Sequence, residues 1–231
     1  MIQTIWAWLS EPTNWSGPGG ITAQTLEHLR LSFIALVVAA LIAVPIGLYV
    51  GHTGRGKVVL VNVVSAFRAI PSLGVLLLAA LLLLPRLRGE LAFELPSLIV
   101  LVLLGVPPIL AGVYAGIGQV DPAARDAARG MGMTGWQRLW RVEVPIALPL
   151  IFSGLRSSML QIIATATIAA VVGLGGLGRF LIDGQANRAY DEMAGGALLV
   201  ALLALVVDML LGLLQRAVVS PGLADDERKV S

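Results

Sequence analysis

Five long apolar runs alternate with short polar connections along this chain, at about Leu26–Val50, Val58–Leu84, Ser97–Ile117, Pro145–Val172 and Ala194–Leu214. About 20 residues at 1.5 Å rise per residue cross a hydrocarbon core, so each run predicts a membrane-spanning helix. The second and fourth are long enough to require tilt or a break. Prolines locate the expected distortions, Pro71 in the second span and Pro149 in the fourth, with Pro45 and the Pro107-Pro108 pair in the first and third. A mid-helix proline removes a backbone hydrogen bond and crowds the preceding turn. The organisation expected is an interfacial segment over 1–24, a transmembrane domain over 25–215 and a solvated tail over 216–231.

One interruption differs from the others, the segment between Asp121 and Pro145, DPAARDAARGMGMTGWQRLWRVEVP. Its arginines, Arg125, Arg129, Arg138 and Arg141, would each cost about 2.5–3.5 kcal/mol at the centre of a bilayer, so it lies in water or at the interface. Asp121-Pro122 is an N-cap followed by proline at the first helical position and predicts a helix through Met131. Gly130 and Gly132 then let the chain turn. Thr134-Gly135-Trp136-Gln137 fits a capping box that opens a second short helix ending near Val142. Along it Trp136, Leu139, Trp140 and Glu143 fall on one helical face. Met131, Met133 and Trp136 project from this pair of helices, which either enters a groove on a partner or lies flat on the membrane with Trp and Arg as anchors.

Composition changes the picture in one direction. With 57% hydrophobic and 13% charged residues in 231 and a mean hydropathy of +0.88, the chain is an integral membrane protein and not a soluble domain. It has no cysteine and only two histidines, His28 and His52, which excludes a disulfide framework or a thiolate metal site. Basic residues set the expected topology. Arg55, Lys57, the arginines of the central segment, Arg216, Arg228 and Lys229 make nine on one side, against Arg86, Arg88, Arg179 and Arg188, four, on the other. The positive-inside rule puts the central segment and the C-terminus in the cytoplasm and the N-terminus outside. The first residues lack a charged n-region and a cleavage site, and Trp6, Trp8 and Trp15 suit headgroup depth, the other reading being a frayed end.

The spacing of the central segment resembles the EAA motif of ABC importer permeases, E-A-A-x3-G-x9-I-x-L-P. Here it reads Asp126-Ala127-Ala128, three residues, Gly132, nine residues, then Val142-Glu143-Val144-Pro145, with Asp for Glu and Val for both Ile and Leu. The resemblance implies an all-α type I permease with a five-helix core. Its central segment would then be the coupling helix that sits in a cleft of a cytoplasmic ATPase, with Asp126, Ala127, Ala128, Gly130, Met131, Gly132, Met133 and Trp136 as coupling residues. It also implies a second permease subunit, identical or paralogous, two cytoplasmic ATPases holding ATP and Mg, an extracytoplasmic substrate-binding protein, and the inner membrane of a prokaryote. No cofactor on this chain and no nucleic acid are expected. Ile70-Pro71-Ser72-Leu73, Ala128-Arg129-Gly130-Met131-Gly132-Met133-Thr134, Gly175-Gly176-Leu177-Gly178 and Ala204-Leu205-Val206-Val207-Asp208 further resemble permeases that import glycine betaine, carnitine and choline. Methionine permeases of the same size carry a similar glycine cluster, so a methionine or other amino-acid permease is the alternative.

Other patterns bear on chemistry. Gly51-His52-Thr53-Gly54-Arg55-Gly56-Lys57 has P-loop spacing, but Val58 follows where the Mg-binding hydroxyl belongs and a membrane helix precedes it, so it reads as a basic turn. Ser153, Ser157, Gln161 and Thr165 repeat every four residues on one face of the fourth span, and either line a translocation path or hydrogen-bond to neighbouring helices. Arg68, Arg156 and Asp208 are intramembrane charges, and pairing of Asp208 with Arg156 or Arg68 neutralises them most simply. The spans hold few aromatics, whereas quaternary ammonium groups are usually recognised by aromatic faces, so tight recognition is expected on a separate binding protein. The glycines from Gly173 to Gly178 permit a sharp or re-entrant turn on the outer side. Against a membrane enzyme stand the lack of Cys, of HExxH and of paired intramembrane carboxylates. A passive channel would transport without ATPases.

Overall fold

The computed structural model describes residues 2–69 and 71–219, leaving aside the side chains of Ile2 and Arg68. The charge role expected of Arg68, the isoleucine that opens Ile-Pro-Ser-Leu, and the tail beyond residue 219 therefore lie outside the described residues. Among the described residues the regular structure is helical: α1 (Ile2–Ser10), α2 (Ile21–Thr53), α3 (Lys57–Arg68), α4 (Ser72–Leu83), α5 (Leu91–Gly118), α6 (Pro122–Gly130), α7 (Gly135–Arg138), α8 (Val144–Ala166), α9 (Gly178–Ala186) and α10 (Tyr190–Val218). Four stretches of the described residues are long and apolar enough to cross a membrane, Ile21–Thr53, Leu91–Gly118, Gly135–Val172 and Tyr190–Val218, and α3 with α4 makes a fifth if that pair is one span.

The expected second span is thus two helices. Ala69 closes α3 and Pro71, extended at φ −70° and ψ 109°, caps α4. By contrast, α2 and α8 stay α-helical through Pro45 and Pro149, and α5 through Pro107-Pro108, as membrane helices tolerate. The irregular turns of the fourth span lie at its two ends, a π-turn over Leu139–Glu143 and a 3-10 turn over Thr167–Val172. The short helix expected to stop near Val142 is therefore the first part of that span. The first span likewise begins at Ile21, ahead of Leu26.

The chain forms two compact units. The first draws on Met1–Val38, Ile70–Gly105 and Met159–Val207, the second on Ala39–Ala69, Val106–Ser158 and Asp208–Ser231. In the first, α1 packs rather than frays: the Trp8 ring meets Phe180 edge-on at 5.3 Å, over a core of Ile21, Leu177 and Phe180. In the second, helices approach to backbone contact through small residues. A Cβ at Gly112 would sit 2.6 Å from the Leu150 carbonyl oxygen, and one at Gly154 would sit 2.8 Å from that of Pro108, so α5 and α8 cross on glycine. Gly47 and Gly51 of α2 rest on Val113 and Ile117 of α5 in the same way. Association without a hydrophobic driving force depends on such close packing.

Candidate functional site

The polar segment after α5 is built by local rules. The Asp121 carboxylate accepts from Ala123 N–H at 2.8 Å, and Pro122 occupies the first helical position. α6 ends in a Schellman motif: Gly132 N–H donates to Arg129 O at 2.9 Å and Met133 N–H to Ala128 O at 3.1 Å. Gly132 holds the left-handed conformation this needs, φ +79°. Gly130, expected to share the turn, is instead the last residue of α6 with helical backbone. Thr134 then opens α7 with a complete capping box, its hydroxyl accepting from Gln137 N–H at 3.3 Å while its own N–H donates to Gln137 Oε1 at 2.9 Å.

The π-turn that follows splits the expected helical face. It inserts a residue into the turn and changes the register, so Leu139 and Glu143 go inward while Trp136 and Trp140 stay outside, their rings edge-on at 5.5 Å. Met131 and Trp136 are each 70% exposed. Asp126, Ala127 and Gly130 are also exposed, with Asp126 bonded to Arg129 at 3.0 Å, whereas Met133 is half-buried and Ala128 is buried. An outward surface of Asp126, Ala127, Gly130, Met131, Gly132 and Trp136 therefore stands on an inward one of Ala128, Leu139 and Glu143.

Glu143 is fully buried and its carboxylate is shared among three side chains. His52 Nδ1 donates to Oε2 at 2.5 Å. Arg138 Nε donates to Oε1 at 3.1 Å, and Arg125 Nε lies 3.4 Å from the same oxygen. Arg138 also reaches His52 Nε2 at 3.5 Å, and both contacts fit the imidazole tautomer with its proton on Nδ1. The Arg125 guanidinium donates to the Ile117 carbonyl in the last turn of α5. Desolvating a carboxylate costs several kcal/mol, and the hydrogen bonds from His52 and Arg138 with the nearby charge of Arg125 offset it. Sequence reasoning missed this centre. Its only signal is an acid at the threshold of an apolar span with arginines on its polar side; His52, 91 residues away, gives none.

Elsewhere in the second unit Arg156 grips Asp208 with two bonds, Nε to Oδ1 at 2.9 Å and a terminal nitrogen to Oδ2 at 2.8 Å. Gln215 accepts from Arg156 at 3.3 Å and donates to Pro149 O at 3.3 Å. Of the polar repeat on α8, Ser153, Ser157 and Gln161 are exposed and face out of the chain, while Thr165 is half-buried and lines a small cavity with Leu76 of α4 and Ser97 of α5. The P-loop-like stretch is the end of α2 and a turn through Gly54 and Gly56, at φ +70° and +83°.

In the first unit the glycine turn is latched to α2. Gly176, at φ +92°, donates its N–H to Gln24 Oε1 at 2.6 Å, and the buried His28 bonds Ile163 O through Nε2 at 3.0 Å. A pocket of about 450 Å³ beside them is lined by Glu27, Arg30, Glu90, Phe93, Glu94 and Gly173–Gly175 among others, and Arg30 pairs with Glu94 across it.

Residues 43–220 match the family of binding-protein-dependent transport system inner membrane components. The chain is 33% identical over 205 residues to the glycine betaine/carnitine/choline transport system permease OpuCB of Bacillus subtilis, covering 89% of this chain and 91% of that one. It is 36% identical over 206 residues to the osmoprotectant import permease OsmW of Salmonella typhimurium, covering 89% and 94%. Its fold is similar to that of the inward-facing MetNI methionine ABC transporter, with a TM-score of 0.71 at 21% identity over 87% of this chain and 96% of that one. The chain belongs to this family: it is an all-helical, multi-pass inner-membrane permease subunit of an ABC importer of the type I fold.

Proposed function

We propose that this chain forms the translocation path of an ATP-driven importer of quaternary-amine osmoprotectants, of the class of glycine betaine, carnitine and choline. The observation that carries the reading is its 31–36% identity, over 82–89% of its length, to permeases whose names specify glycine betaine, carnitine or choline or, for OsmW, osmoprotectants. It works as one of two permease subunits, identical or paralogous, with two cytoplasmic ATPases that bind ATP and Mg and an extracytoplasmic binding protein that selects the solute; this chain binds no cofactor and performs no hydrolysis. The basic-residue asymmetry supports a cytoplasmic α6–α7 hairpin and C-terminus and an N-terminus outside. Asp126, Ala127, Gly130, Met131, Gly132 and Trp136 meet the ATPase, with Ala128 and Met133 beneath them. Ser153, Ser157 and Gln161, which face out of α8, offer the solute a polar wall without ammonium N–H partners to satisfy.

The test is uptake by proteoliposomes carrying the full transporter with its binding protein, given labelled glycine betaine, choline, carnitine or methionine. ATP-dependent accumulation of a quaternary amine, not competed by methionine, is the expected result. Methionine uptake would assign the chain to the amino-acid branch, and solute flux without the ATPases would make it a passive channel.

A further inference from the structure

The buried carboxylate of Glu143 ties together parts of the chain that the backbone does not join. α5 runs into α6 through a short connection, and α7 runs into α8 through the π-turn, so the hairpin is covalently continuous with both of those helices. α2 is not continuous with it. Its contacts to α5 at Gly47 and Gly51 are apolar surfaces meeting glycine, which hold two helices close but resist sliding weakly, since nothing in them is directional. His52, in the last turn of α2, supplies the directional bond. Its Nδ1 donates to Glu143 Oε2 at 2.5 Å, and Glu143 is itself fixed by Arg138 of α7 and Arg125 of α6. Gly135, at the start of α7, passes so near that a Cβ there would lie 3.5 Å from His52 Nε2.

We propose that His52 is a positioning residue for energy coupling: through Glu143 it makes the end of α2 move as one piece with the α6–α7 hairpin. A displacement of that hairpin then reaches α2 directly, in addition to α5 and α8. This rests on the hairpin being the ATPase-docking element. Among the described residues, His52 is the side chain of α2 that bonds to this cluster.

The experiment uses the complete transporter in proteoliposomes and reads solute moved per ATP hydrolysed, together with ATPase capture by the permease, for wild type, His52→Leu and His52→Gln. Leucine fills the space without a donor, and glutamine keeps an N–H for the carboxylate. The expected result is retained ATPase capture with a fall of about threefold or more in solute per ATP for His52→Leu, the size of effect that a residue along a coupling route produces, and a smaller fall for His52→Gln. An unchanged ratio in His52→Leu overturns the proposal, as does a His52→Gln variant as uncoupled as His52→Leu. Should His52→Leu fail to assemble, His52→Met, of similar length but without an N–H donor, takes its place with the same two outcomes. A wild-type permease that captures no ATPase contradicts the docking role itself, which separates the failure of that reading from the failure of this one.

Discussion

Arg156 of α8 and Asp208 of α10 form a two-pronged ion pair, with bonds of 2.9 and 2.8 Å. A single charge within an apolar span is expensive, so each depends on the other, and the guanidinium lies against Gly212 of α10, where an added Cβ would meet it at an ordinary contact distance of 3.5 Å.

Asp208→Asn leaves Arg156 charged and poorly matched. A loss of about 1–3 kcal/mol is expected, less than for a sealed pair because both side chains keep about a third of their surface. Arg156→Lys keeps the charge but not the fork and falls between that variant and wild type. Thermal unfolding in detergent, compared across the three proteins, checks the order.

Gly132 and Gly130 should respond oppositely to alanine. At Gly132 the backbone is left-handed and a Cβ meets nothing within 4 Å, so the cost of Gly132→Ala is conformational, about 1–2 kcal/mol. Gly130 sits in helical backbone with equally open space, so Gly130→Ala is expected to gain about 0.5–1 kcal/mol in local helix stability. Hydrogen exchange at the amides of α6 distinguishes the two.

Gly154→Val should loosen the crossing of α5 and α8. Even the first added carbon would lie 2.8 Å from Pro108 O and 3.1 Å from Gly112 Cα, against backbone that has no rotamer to change. Overpacking of this kind costs about 1–3 kcal/mol or forces the helices apart. A lowered midpoint of thermal unfolding in Gly154→Val, with Gly118→Ala unaffected because its Cβ would be in open space, is the expected pattern.

Much of this architecture is legible in the chain because it is local. Apolar run length fixes the spans, and Asp121-Pro122 and Thr134-x-x-Gln137 carry their own capping chemistry, so the hairpin follows from residues at most a few positions apart. Gly132 is legible for the same reason, while Gly130 is not, because two glycines near a helix end look alike until one of them takes positive φ. Arg156 with Asp208 is one of the two pairings that three intramembrane charges allow. The Glu143 centre is different: in the local pattern Glu143 shares a face with two tryptophans, and only the π-turn and the approach of α2 take it inward. Neither is encoded within one turn of helix.

Met131 and Trp136 test the central claim most directly, that the outer surface of the α6–α7 hairpin docks the ATPase. Both are largely exposed, so Met131→Asp and Trp136→Asp change the surface without opening the core. The measurement is capture of the ATPase subunits by detergent-solubilised permease, with unfolding midpoints recorded alongside. Capture by wild type that falls about tenfold or more in both variants, at unchanged midpoints, is the predicted result, as for central anchors of a docking site. Equal capture by wild type and both variants would place the contact elsewhere and contradict the account.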